Sequence, residues 1–193
     1  MMKNRFLFVK ESLTIALLIA VIQLAGTSCS RRLAPASSFP NIESRAEKKS
    51  LKQFLDDGAE KTLSVGNVTP DAIVKTAEKY LGVPHCMGGT TSKCMDCSGL
   101  LVTVFAQNGI QLPHNSEDQA RYGRIISNAK QLRRGDLVFF IKSYKTNRFI
   151  THSAIFIGNG RFIHASTSKG VTITPIGDPW WSRRFIFGTR VFD

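Results

Sequence analysis

Four cysteines and four histidines are the side chains in these 193 residues best equipped for nucleophilic or proton-transfer chemistry. Cys97 stands in Asp-Cys-Ser-Gly, where a loop rich in Gly and Thr (88–92) meets Leu100, Leu101, Val104 and Phe105 at helical spacing. A thiol at a helix start faces free N–H groups and the positive end of the dipole, which favour the thiolate. Such a nucleophile needs a base, and the base needs a partner to orient it. His152 and His164 sit on two successive strand-like runs separated by Gly158-Asn159-Gly160, a hairpin signal. They are twelve positions apart, so they share a face only if the loop between paired strands holds an odd number of residues. A three-residue loop of Gly158, Asn159 and a left-handed Gly160 pairs Ala154 with His164. His152 is then one diagonal step away on the same face, roughly 7 Å between backbones. A two-residue Asn-Gly turn would put the imidazoles on opposite faces. The expectation is therefore Cys97 as nucleophile, His152 as base and His164 as orienter.

The other cysteines leave alternatives open. Cys94 and Cys97 form a C-x-x-C, and with Cys86 and His85 nearby they allow a zinc site or a redox dithiol. The more economical account pairs Cys86 with Cys94 in an oxidising compartment, about 2–3 kcal/mol for so short a loop, and keeps Cys97 free. No metal and no cofactor are expected.

The elements that must position these residues follow from pattern. Thr69-Pro70-Asp71 opens a helix with a capping hydroxyl, a proline and an acid. Ile73, Val74, Ala77, Tyr80 and Leu81 continue it until Gly82 and Pro84. The second helix runs from Cys97 to about Asn108. From Gly135 onward the pattern turns to strands: 136–141, 152–157, 161–165, 171–175 and 185–192. Helices first and strands afterwards predict an α+β domain over 69–193.

The N-terminal residues read differently. Lys3, Arg5 and Lys10 precede an apolar run from Leu13 to Ile22 and small residues from Ala25 to Ser28, the layout of a signal peptide over 1–28. Cys29 is then the acylated first residue of a lipoprotein. Residues 29–68, with Pro and Ser followed by a charged run, read as a lipid-anchored and mostly flexible tether, although 50–55 allow a short amphipathic helix. Removing 1–28 takes away three Lys/Arg and one Glu and leaves a net charge of +10 from the full chain's +12. Export argues against a nucleic-acid partner and points instead to acidic wall polymers and headgroups.

The residues resemble the NlpC-type cell-wall cysteine peptidases, a compact branch of the papain-like fold. The resemblance covers about 70–193. It rests on Tyr80-Leu81-Gly82-Val83-Pro84, Gly88-Gly89, Asp96-Cys97-Ser98-Gly99-Leu100, Leu112-Pro113, Gly135-Asp136-Leu137-Val138-Phe139-Phe140, His152-Ser153-Ala154-Ile155-Phe156-Ile157-Gly158 and Phe162-Ile163-His164-Ala165-Ser166. It implies helices packed on an antiparallel sheet and hydrolysis of an amide bond in peptidoglycan stem peptides, D-glutamyl-diaminopimelate or the diaminopimelate-D-alanine cross-link. It also implies an oxyanion site made by the Cys97 N–H and a donor at His85, where relatives carry tyrosine, with Asp96, Ser98 and Asn115 in the oxyanion and substrate set. Asn115 follows the Leu-Pro turn where relatives that trim free stem peptides carry aspartate, which favours intact wall as substrate. His114, Trp180 and Trp181 are candidate groove residues. A monomer at the outer membrane facing the periplasm completes the reading. The competing classes are a non-catalytic wall-binding protein and an acyltransferase or amidase on the same scaffold.

Overall fold

The computed structural model describes residues 38–192, so the signal peptide, Cys29 and the start of the proposed tether lie outside the described residues. Helix α1 (Arg45–Asp56) begins at Ser44, whose side chain accepts from the Glu47 N–H while the Glu47 carboxylate accepts from the Ser44 N–H, a reciprocal cap. Its apolar stripe is buried: Leu51 and Phe54 reach the core, and Phe54 packs 5.8 Å, centroid to centroid, from Phe187. Phe39 packs edge-on against the same ring at 5.9 Å. The segment 38–68 is thus no free tether. Burying Phe39, Leu51 and Phe54 gives it apolar stabilisation that a solvated linker lacks.

Helix α2 (Pro70–Glu78) carries the Thr69 cap and the proline at its first turn, as its sequence predicts. The hairpin β1 (Thr90–Thr91) and β2 (Cys94–Met95) leads into α3 (Cys97–Gln107), capped by the Asp96 carboxylate at Gly99 N–H. Here a glycine is required. A Cβ on Gly99 would stand 2.0 Å from the Gly89 carbonyl oxygen, so the helix start can approach the preceding loop only without a side chain. Helix α4 (Ser116–Gln119) is one turn.

The sheet comprises β3 (Arg124–Ile126), β4 (Leu137–Phe140), β5 (His152–Gly158), β6 (Arg161–Ser166), β7 (Gly170–Pro175) and β8 (Phe185–Arg190), with helical turn α5 (Pro179–Ser182) before β8. Its order is β3-β8-β4-β5-β6-β7, with every neighbouring pair antiparallel. One face carries Leu137, Phe139, Ile155, Ile163 and Phe187 against the helices; the other carries Val138, Phe140, Ala154, Phe156 and Phe162 in a smaller cluster. The Gly135-Asp136 motif is structural. The Asp136 carboxylate accepts from Arg190 Nε at 2.9 Å and Nη2 at 2.7 Å, tying the turn before β4 to β8 inside the protein.

The β5–β6 hairpin reaches the expected pairing by another route. The turn is the two-residue Asn159-Gly160, both left-handed at φ 52° and 67°, and Gly158 opposes Arg161. A bulge between Phe156 and Gly158 inserts the residue that restores parity, so Ile155 faces Ile163 and Phe156 faces Phe162. Continuing that register places Ala154 opposite His164. The odd loop of the expectation is corrected to an even turn plus a bulge.

Candidate active site

Cys97 is half-buried at the first position of α3, and His152 and His164 start β5 and run along β6. All three line one cavity of about 620 Å³, together with His85, Asn115 and Trp181. His152 Nε2 lies 2.9 Å from His164 Nδ1, and His164 Nε2 lies 3.0 Å from Thr174 Oγ1. One tautomer set suits a base: His152 Nε2–H donates to His164 Nδ1, His164 Nε2–H donates to the threonine oxygen, and His152 Nδ1 keeps a lone pair.

Aromatic rings enclose this pair. Trp181 packs 4.6 Å from both imidazoles, Phe140 lies 5.9 Å from His152, and Phe162 lies 4.9 Å from His164. Their burial pushes both histidines down, His164 to about 3 and His152 well below the ordinary range, with the neighbouring imidazole adding to the effect on His152. Burial likewise pushes the Cys97 thiol up, against the backbone N–H groups of Ser153 and Ser98 that face it, while Ser116 Oγ lies 3.5 Å from the sulfur. The helix start is where the sequence indicates, but desolvation outweighs its pull toward the thiolate. Burial thus favours a neutral thiol and a neutral imidazole.

The residues around them divide. Cys86 and Cys94 are joined in a disulfide, which removes both from any zinc or C-x-x-C redox site and leaves Cys97 as the free thiol among the described residues. His85 bridges to Met95 on the cavity wall. Asp96 and Ser98 line the same cavity and are bonded to each other at the start of α3. Asp96 Oδ1 accepts from Gly99 N–H at 2.6 Å and from Ser98 Oγ at 3.0 Å and contacts His114 Nε2 at 3.1 Å, while Oδ2 accepts from Gly88 N–H at 2.8 Å. Burial alone would push that carboxyl up; these bonds hold it below its ordinary value, ionised and unsuited to facing an oxyanion. Asn115 Oδ1 caps α4 through the Glu117 and Asp118 N–H groups, so only its NH2 end is open to a ligand. That end is a donor and suits a carbonyl or carboxylate, not an ammonium.

Sequence reasoning missed Thr174, Ser116, Ser153 and Gln119. Thr174 and the short polar residues carry no periodic signal of their own. It also missed Glu117, whose carboxylate accepts from Phe149 and Ile150 N–H at 2.8 and 3.0 Å and holds the 141–151 loop beside the cavity.

The arrangement of a helix-start thiol and a two-histidine chain on an antiparallel sheet can be compared with known proteins. The model of the NlpC/P60 family matches residues 82–190. The chain belongs to the NlpC/P60 family. Among curated relatives it is 43% identical over 123 residues to a gamma-DL-glutamyl hydrolase of Bacillus subtilis, covering 63% of this chain and 29% of that protein. It is 37% identical over 121 residues to a probable endopeptidase NlpC homolog of Haemophilus influenzae, covering 62% of each. It is 33% identical over 177 residues to murein DD-endopeptidase MepS/murein LD-carboxypeptidase of Escherichia coli, covering 91% of this chain and 89% of that one. The chain thus spans less than two thirds of the first two relatives and most of the third. Among solved structures, the NlpC/P60 domain of the peptidoglycan hydrolase SagA matches with a TM-score of 0.55 at 30% identity, over 64% of this chain and 99% of that one. A family protein from Bacillus cereus matches with a TM-score of 0.60 at 28% identity, over 67% and 42%. The NlpC/P60 fold is the α+β arrangement described above.

Proposed function

We propose that the chain is a peptidoglycan endopeptidase that cleaves an amide bond of the stem peptides through a Cys97 thioester. The observation that carries the reading is the 2.9 Å contact from His152 Nε2 to His164 Nδ1, which spends one imidazole nitrogen on orientation and leaves the other for a proton from the thiol in the same cavity. Cys97 Sγ attacks the carbonyl carbon as its proton passes to His152 Nδ1. The tetrahedral intermediate then expels the amine, which takes the proton from His152, and water hydrolyses the thioester. Because burial favours the neutral pair, proton transfer accompanies attack in this scheme. The Cys97 N–H and the His85 ring N–H supply the oxyanion donors in this scheme, and losing one such donor commonly costs on the order of 100- to 1,000-fold in rate.

The relatives named as endopeptidases, murein peptidases and a glutamyl hydrolase support the substrate class. So does the charge at the cavity. Arg148 and Lys169 line it from the loops beside β5 and β7, both exposed and neither in an ion pair among the described residues, and stem peptides carry free carboxylates. The chain is proposed to act as a monomer held to the outer membrane, facing the periplasm, by a lipid on Cys29, on the strength of the N-terminal pattern.

The test is mass spectrometry of purified peptidoglycan incubated with the chain and with Cys97→Ser. New fragments from the wild type alone are expected, and their masses name the bond. An unchanged wall with folded, reduced protein contradicts the reading, and a transferred acyl group in place of a hydrolysed one moves it to an acyltransferase.

A further inference from the structure

Behind Cys97 a line of hydrogen bonds runs inward through side chains that the hydrolytic scheme does not use. Gln119 is fully buried, and its Nε2 lies 2.9 Å from the carbonyl oxygens of both Ser98 and Pro113. Carbonyl oxygens only accept, so the NH2 end must stand here and Oε1 must point the other way. Oε1 therefore accepts from Ser153 Oγ at 2.9 Å. A serine hydroxyl has a single proton, and that of Ser153 is now committed. Its oxygen is left to accept from Ser116 Oγ, 3.1 Å away. Ser116 in turn presents lone pairs to Cys97 Sγ at 3.5 Å. Gln119 and Ser153 are wholly shielded and Ser116 nearly so, so the direction of these bonds is set by the protein.

We propose that Gln119, Ser153 and Ser116 form a one-way relay of positioning residues: it receives the Cys97 S–H proton on Ser116 in the resting protein and withholds a hydroxyl donor from the sulfur. The inference rests on reading Cys97 as the nucleophile. With the relay intact, Ser116 can turn its proton to a thiolate only by breaking its bond to Ser153. The sulfur therefore stays protonated until His152 takes the proton in the attack itself. Backbone N–H groups of Ser98 and Ser153 also face the sulfur, and side-chain substitutions leave them in place. Removing the Ser153 hydroxyl should free the Ser116 proton to reach the sulfur, where a donor to an anion outweighs one to a neutral thiol.

The experiment follows iodoacetamide alkylation of Cys97 in the full chain from pH 5 to 10, read by mass spectrometry of the Cys97 peptide so that Cys29 does not contribute. Ser153→Ala is expected to move the midpoint acid-ward by about one pH unit, roughly tenfold in rate on the acid side. That shift should vanish in the Ser116→Ala background, because it acts through the Ser116 proton. Ser116→Ala alone should produce no alkaline shift. Three results would each overturn the relay: an unmoved midpoint in folded Ser153→Ala, the same shift without Ser116, or an alkaline shift on removing Ser116. Should Ser153→Ala not fold, the sign of the Ser116→Ala shift decides. Alkylation does not require hydrolysis. A chain that alkylates as described but leaves peptidoglycan uncut refutes the endopeptidase and not the relay.

Discussion

His164 touches no substrate in the proposed scheme, yet its Nδ1 determines which nitrogen of His152 carries the proton. His164→Ala should therefore lower kcat on the order of 100- to 10,000-fold with KM little changed, since a mis-set tautomer removes the base without touching substrate binding. Asparagine at this position retains an acceptor and should recover part of the loss. Steady-state kinetics on a stem-peptide substrate checks both variants. A fall in kcat/KM carried by KM would instead assign His164 to binding. The two histidines were legible in the sequence because strand periodicity and the Gly-Asn-Gly signal placed them on one face. The route was not, since a two-residue turn with a bulge and a three-residue loop yield the same parity. The capping roles of Asp96 and Asn115 were not legible for a related reason. Residue type says that a side chain can bond, but only packing says that its capacity is already taken up by a helix cap.

At the scale of elements, α1 joins the peptidase fold and does not lead up to it. Phe54 is buried against Phe187, and the Arg121 guanidinium packs over its ring at 4.8 Å while donating to the Phe54 and Gly58 carbonyls. Phe54→Ala should cost about 3–5 kcal/mol of stability, seen as a lowered midpoint in urea. A change near zero would restore the tether. The sequence signal was present in Ser44 and Glu47, a capping box, and in the spacing of Leu51, Phe54 and Leu55. It was masked by the six charged residues of the helix itself. Strand β3 was missed because three residues beginning with an arginine show no alternation, and only its pairing with β8 defines it. The long helices and the five later strands were readable because each carries several periodic apolar residues.

For the molecule as a whole, the buried histidine pair links stability to acid. His164 titrates near 3 when folded and near its ordinary 6.5 when unfolded, so between these values the unfolded chain binds more protons. Its contribution is fully present above about pH 6.5 and is lost as pH falls toward 3, by up to about 1.4 kcal/mol per pH unit; His152 acts in the same direction. Urea midpoints should therefore decline from pH 6.5 to 5, before most carboxylates protonate, and His164→Asn should flatten that decline. A midpoint independent of pH in this window would contradict neutral burial of the pair.

The most direct test of the central claim is the intact mass of the protein quenched in acid during a single turnover on a stem-peptide substrate. The account predicts an adduct equal to the acyl half of the substrate, mapping to Cys97 and absent from Cys97→Ala, which should also cut nothing. Cleavage by the wild type without any adduct, together with cleavage by Cys97→Ala, would contradict it.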